Sequence, residues 1–404
     1  MKKSLFAIAA VTAFAGAAQA QSSVTVYGIM DVGYIGGNNR GYTGTTQLKN
    51  TYNQFGGGAE SSNRLGFRGT EDLGGGLNAF FTIEVQLNPN EQTNMLAGNR
   101  QTFAGLRSKG LGQFALGTQN TTIHNAVGIT SAGQQNNMVG DVIYPIAPPG
   151  QSSNGMVGAG TFGSTASGAN NGNSGSAGTS GGYTVRTNNM LTVRTDNFKG
   201  LVGNAFYTMA DNDSTPNGSS ATSNVTGTNN KNGWGIGANY TFQKLLLTAN
   251  YQSLKAVQTG LGNTNIGVWS GTAAANNIQD NQMYFAAAYD FGILNAYVQY
   301  IDRKATSELD SSNFARRSAQ QIGARGFFTK TIEGWASVGM GRYDTFGTTA
   351  PTVNFTGYQL GTNYYLSKRS NLYAIFGSTA QSSANVNQPS SGMNNYAVGV
   401  RHTF

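Results

Sequence analysis

Apolar and polar residues alternate with a period of two over many short runs of this chain. In 23–34, Val24, Val26, Met30, Val32 and Tyr34 fall on one face, and Thr25, Tyr27 and Asp31 on the other. Trp234, Ile236, Ala238, Tyr240 and Phe242 likewise oppose Gly235, Gly237, Asn239 and Thr241. Such alternation predicts half-buried β-strands. The pattern recurs in sixteen runs, at 23–36, 59–69, 76–87, 98–108, 112–119, 183–197, 201–210, 232–242, 245–255, 281–290, 293–304, 316–328, 335–343, 354–366, 371–379 and 393–404. Short connections, such as 108–112, 243–244 and 367–370, contrast with long ones rich in Gly, Asn, Ser and Thr, at 36–58, 211–231, 257–280 and 381–393. An even strand count, with short turns at one rim and long loops at the other, predicts an all-β fold: a transmembrane antiparallel β-barrel of 16 strands. The last run is expected to pair with the first, because an open sheet edge in lipid leaves backbone groups unpaired at several kcal/mol each. A barrel of this size encloses water.

One interruption is far longer than the rest. Residues 119–184 carry a single acid, Asp141, and no Lys or Arg, whereas Arg64 and Arg100 precede the segment and Arg186 follows it. A segment of that length inside a compact domain reads as a functional loop. Here it is expected to fold into the lumen as the third outer loop, facing those arginines. Parity places the charges. Leu65 and Phe67 take the lipid face, leaving Arg64 and Arg68 inward, and an arginine facing lipid at mid-depth would cost roughly 2–4 kcal/mol. Glu84 lies with Asn78, Thr82 and Gln86 on the polar side of its run, opposite Leu77, Phe81, Ile83 and Val85. The expected pore constriction is therefore Arg64, Arg100, Arg186, Arg68, Glu84 and Asp141. Asp31, Arg325 and Arg401 face the lumen by the same parity without marking its narrow level. Several arginines against few carboxylates predict a bias toward anions.

Composition removes other classes. Lys2 and Lys3, an apolar stretch at 5–16 and Ala18-Gln19-Ala20 read as a signal peptide over 1–20, with the barrel at 21–404. Without Lys2 and Lys3 the chain holds 23 basic and 17 acidic residues, unclustered, so no nucleic-acid partner is expected. Cysteine is absent and the two histidines, His124 and His402, lie far apart, so neither a disulfide framework nor a metal centre nor another cofactor is expected. The same scarcity argues against an enzyme. A substrate-specific channel (for phosphate, a dicarboxylate or a sugar) and an adhesin remain as alternatives to a diffusion pore.

Particular motifs add a resemblance. The opening Ser-Val-Thr-Val-Tyr-Gly-Ile-Met-Asp-Val-Gly at 23–33 and Asn63-Arg64-Leu65-Gly66-Phe67-Arg68-Gly69-Thr70-Glu71-Asp72-Leu73-Gly74-Gly75-Gly76-Leu77 are two of them. Arg100-Gln101-Thr102-Phe103-Ala104-Gly105-Leu106 and the closing 396–404 are the others. Together the chain resembles the general porins of Gram-negative bacteria, in the branch typical of β-proteobacteria. The resemblance implies a homotrimer of sixteen-stranded barrels in the outer membrane, in contact with lipid and lipopolysaccharide. Each barrel would pass small hydrophilic solutes and inorganic ions by passive diffusion. It also implies an inward third loop opposite a ladder of wall arginines, for which Arg64, Arg100 and Arg186 are the matching positions. Three departures stand out: Ile29 replaces a basic residue of the first strand, 134–141 lacks the acid-rich turn of many members, and 150–182 is an added Gly/Ser/Asn run.

Overall fold

The structure is a computed structural model that describes residues 23–43, 46–92, 95–145, 182–214, 227–258, 278–308, 310–312, 314–346, 352–383 and 390–404. The expected signal peptide and the run 150–181 lie outside the described residues. The strands are β1 (Ser23–Thr43), β2 (Thr46–Gly57), β3 (Arg64–Gly74), β4 (Leu77–Leu87), β5 (Leu96–Ser108) and β6 (Gly112–Asn120). After the long segment come β7 (Arg186–Thr195), β8 (Leu201–Ser214), β9 (Gly227–Phe242), β10 (Leu245–Gln258), β11 (Ile278–Asp290) and β12 (Asn295–Ser307). The chain ends with β13 (Phe314–Phe327), β14 (Ile332–Phe346), β15 (Val353–Tyr365), β16 (Ser370–Gln381) and β17 (Ser391–Thr403). Each strand from β3 onward pairs antiparallel with the next. β17 closes on β1 from Ile29↔Thr403 to Arg40↔Gly392. Gly28 and Phe404 exchange both backbone hydrogen bonds at the end of that seam, at 3.1 and 3.2 Å.

The other edge of β1 is shared. Its first part, from Ser23 to Ile29, pairs with β3, and its second, from Val32 to Thr43, pairs with β2. Seventeen strands thus occupy sixteen positions around a closed cylinder. This corrects two expectations. Residues 36–58, read as a loop, are mostly the β1–β2 hairpin, because strand pairing overrides the Gly- and Asn-rich composition. The run expected at 59–69 becomes strand only from Arg64, since 58–63 leaves the wall.

That departure is held by Asp31, which is fully buried. One of its carboxylate oxygens accepts from Glu60 N and Ser61 N at 2.8 and 2.7 Å, and the other from the Tyr373 hydroxyl at 2.6 Å. Its main-chain oxygen accepts from Gly58 N at 2.9 Å.

The two faces of the wall differ as the alternation requires. Val338, Met340, Tyr358 and Leu360 are exposed on one face, while Ser337, Gln321 and Gln359, of opposite parity, are buried. What buries them is the segment after β6. It opens with a helix, α1 (Thr122–Thr130), where the sequence pattern had suggested irregular chain. Thr121 caps α1 by accepting from His124 N at 3.2 Å, and Ile123, Ala126 and Val127 are buried beneath it. With β-branched residues and Gly128 the helix has weak intrinsic propensity, so this packing must supply its stability. Ile123, Val127, Val142, Ile143 and Tyr183 form one apolar cluster with Ile301, Tyr343 and Phe355 of the wall.

Asp31→Ala leaves two backbone N–H groups and the Tyr373 hydroxyl without their acceptor. At about 1–3 kcal/mol per orphaned group, partly relieved by water, a loss of roughly 2–4 kcal/mol is expected. The urea midpoint of the folded barrel should fall accordingly, and Asp31→Asn should restore much of it. An unchanged midpoint for Asp31→Ala would show that the carboxylate does not hold 58–63 in place.

Candidate functional site

The polar face of the wall carries two sets of arginines, and their partners separate them. On β12 and β13 the guanidinium groups are neutralised or occupied. Arg303 pairs with Asp280 at 2.9 Å. Arg325 forms a two-pronged bridge to Glu333, with Nε at 2.6 Å and Nη2 at 2.5 Å, while its Nη1 donates to Ala132 O at 2.8 Å. Arg317 donates to Val142 O and to the Tyr343 hydroxyl and lies over the Phe355 ring at 4.6 Å. Arg317 and Arg325 therefore seat the long segment against the wall. Neutral amides do the same: Gln359 donates to Met138 O at 2.7 Å and Val139 O at 3.0 Å, and Gln321 accepts from Val142 N at 2.9 Å. Gly140 stands at φ +104°, and a Cβ there would overlap the Tyr358 carbonyl oxygen, so the chain meets the wall backbone to backbone.

On β3, β4, β5 and β7 the arrangement is different. Arg100 Nε lies 2.7 Å from Glu84, Arg64 approaches the same carboxylate at 3.8 Å, and the Tyr27 hydroxyl donates to it at 3.1 Å. Arg186, at the start of β7, donates through Nε to Asn120 at 3.0 Å and has no carboxylate in contact among the described residues. Arg64, Arg100 and Arg186 lie within each other's electrostatic reach, together with Glu84. Arg401, on β17, acts on Arg64 in the same way. Two guanidinium groups thus contact one carboxylate, and the third lies within its electrostatic reach.

Arg100 reaches this cluster through backbone irregularity. Thr102 and Ala104 are exposed on the outer face, so counting back by twos would send Arg100 into lipid. Between Glu84 and Val85 the partner strand skips from Gln101 to Asn99, and this β-bulge at Arg100 turns the side chain inward.

The other expected residues are placed differently. Arg68 lies two inward positions from Arg64, beyond Gly66, toward the β3–β4 turn, exposed, with its guanidinium 5.4 Å from the Tyr27 ring centroid. Asp141 is buried and accepts from Ile143 N at 2.8 Å and Tyr144 N at 2.9 Å, so its carboxylate organises its own turn. Burial pushes its pKa up, against the opposing pull of those two N–H groups.

The groups that the long segment turns toward the arginines are Tyr144 and His124, which the sequence did not single out. Both feel the charges of Arg64, Arg100 and Arg186. Their rings pack with Tyr183, with centroids 5.8–6.0 Å apart. Burial, and then the three guanidinium charges, hold the His124 imidazole well below its usual range, so it is neutral at pH 7. No carboxylate of the segment reaches the cluster among the described residues.

Comparison with known proteins agrees with this architecture. A family model described as Gram-negative porin matches residues 7–384. An outer membrane porin protein of Bordetella pertussis is 28% identical over 439 residues, covering 100% of both chains. Outer membrane porin protein 32 of Delftia acidovorans is 47% identical over 87 residues, 22% of this chain and 23% of its own. Among solved structures, the anion-selective porin from Comamonas acidovorans superposes with a TM-score of 0.66 at 20% identity, covering 95% of this chain and 100% of that one. The trimer form of OmpT from Vibrio cholerae gives 0.59 at 13% identity, covering 95% and 99%. A family match over nearly the whole length, on a closed barrel with a polar inner face, identifies this chain as a member of the Gram-negative porin family, an outer-membrane channel.

Proposed function

We propose that this porin is a passive diffusion channel for small hydrophilic solutes and inorganic ions, weakly selective for anions. Its narrow level lies between Arg64, Arg100 and Arg186 on one side and the inward segment carrying Tyr144 and His124 on the other. The observation that carries the reading is charge imbalance. Among the described residues, Glu84 contacts the guanidinium groups of Arg64 and Arg100, Arg186 has no carboxylate in contact, and no hydrogen bond joins the terminal nitrogens of Arg100 and Arg186 to the protein. Half-enclosed donors of this kind favour an anion that sheds part of its water. One unit charge acting across about 8 Å of water is worth about 0.5 kcal/mol, roughly a factor of two in local ion concentration. The resulting preference is weak, and salt screens it further. Homotrimer assembly, with the exposed apolar belt against lipid and lipopolysaccharide, belongs to the same proposal. OmpT of Vibrio cholerae, described in a trimer form, supports it by likeness of fold.

Reversal potentials of the reconstituted protein in a KCl gradient test the reading. The unmodified channel should prefer chloride, and a cation preference would defeat the proposal. Conductance that saturates for one solute at millimolar concentration would point to a substrate-specific channel instead.

Charge removal gives a signed pair of outcomes. Arg186→Gln deletes a cation that has no carboxylate partner, so the chloride preference should fall by roughly twofold. Glu84→Gln deletes the single acid of the cluster and should raise that preference by a similar factor. Shifts of the same sign in both variants would show that these side chains do not set the field in the pore.

A further inference from the structure

The outward face of the barrel carries a groove of about 890 Å³ across β13 to β17. Ala336 and Ala374 form its floor, and Phe328, Phe376 and Tyr396 rise around it. Trp335, whose side chain belongs to the inner face, closes it from beneath. Within a bilayer an apolar groove gains little by exchanging one hydrocarbon for another, since lipid tails are as apolar as its lining. The choice of occupant must come from the groove's end.

That end is cationic. The lining extends to Phe327, Phe328 and Gly334, on either side of the turn that holds Lys330. The next turn, between β15 and β16, holds Lys368 and Arg369. All three side chains are exposed and make no ion pair among the described residues. The acid closest in sequence to Lys330, Glu333, points to the other face and is taken by Arg325.

We propose that this groove binds one anionic phospholipid from the leaflet on the short-turn side. Its acyl chains lie on Ala336 and Ala374, and its phosphate meets Lys330, Lys368 and Arg369. A zwitterionic lipid offers the same chains but no net charge. Each basic residue at an anionic lipid surface is worth roughly a fivefold gain in binding, so discrimination between the two lipids comes from the turns. A lipopolysaccharide chain would enter from the opposite leaflet, with its phosphates on the far side of the bilayer from these cations.

The test uses the full-length protein carrying Trp234→Phe and Trp269→Phe, so that Trp335 is the single tryptophan. It is reconstituted in phosphatidylethanolamine vesicles doped with phosphatidylglycerol, with brominated acyl chains on one lipid or the other. Brominated phosphatidylglycerol should quench Trp335 at a mole fraction at least tenfold below that needed with brominated phosphatidylethanolamine. Replacing Lys330, Lys368 and Arg369 together by Gln, at exposed turn positions, should abolish that difference and leave conductance unchanged. Ala336→Leu should fill the groove and reduce quenching by both lipids. Equal quenching by the two lipids in the parent protein would overturn the proposal, because the groove would then hold bulk lipid. Absence of quenching by either lipid would overturn it too, by showing that a second copy of the chain or lipopolysaccharide covers the groove.

Discussion

A backbone N–H or C=O that meets hydrocarbon without a partner is too costly to keep, and the molecule is organised by that constraint. It requires the last strand to find the first, which the β1–β17 ladder achieves over a dozen residue pairs. It then fixes the side chains. Once every strand is flanked by others, alternate residues can only face lipid or lumen, and the period-two pattern follows. The described part of the segment between β6 and β7 joins no sheet, and the wall supplies its partners. Gln282 accepts from Thr184 N, Gln321 from Val142 N, and Gln359, Arg325 and Arg317 donate to main-chain carbonyls. Long polar side chains on the inner face of β11 to β15 thus take the place of a neighbouring strand.

The same contacts divide the arginines of the polar inner face into two sets. Arg303 and Arg325 each face an acid, and Arg317 and Arg325 donate to main-chain carbonyls of the segment. On β3 and β5, Arg64 and Arg100 contact a single carboxylate, and Arg186 on β7 has none in contact among the described residues. Asp141 stands apart from both sets, because its Oδ1 accepts from two N–H groups of its own turn.

Much of this was legible in the sequence, for identifiable reasons. Alternation marks the strands, and parity from Leu65 and Phe67 places Arg64 and Arg68 on the polar face without further information. Arg100 shows where parity stops working: a bulge reverses its direction, and a bulge depends on the register of two strands together. α1 was hidden because Thr, Ile, Val and Gly dominate it and its stability comes from wall residues distant in sequence. Asp31 read as one more lumen acid, whereas its role rests on Glu60, Ser61 and Tyr373, the last of which is 342 positions away. Tyr144 and His124 carried no signal, being ordinary residues within a long polar segment. The hairpin at 36–57 was missed because its Gly and Asn content imitates a loop.

That hairpin also divides β1 into two parts with different partners. Strand β1 sets the circumference through its pairing with β3 and β17, whereas β2 uses only the part of β1 beyond Val32. The inward excursion at 58–63 acts as a joint between them. The hairpin beyond Val32 leaves the β1–β3 register, from Ser23↔Thr70 to Ile29↔Arg64, untouched. Arg64 thus takes its place from the β1–β3 ladder, which the hairpin above it does not share.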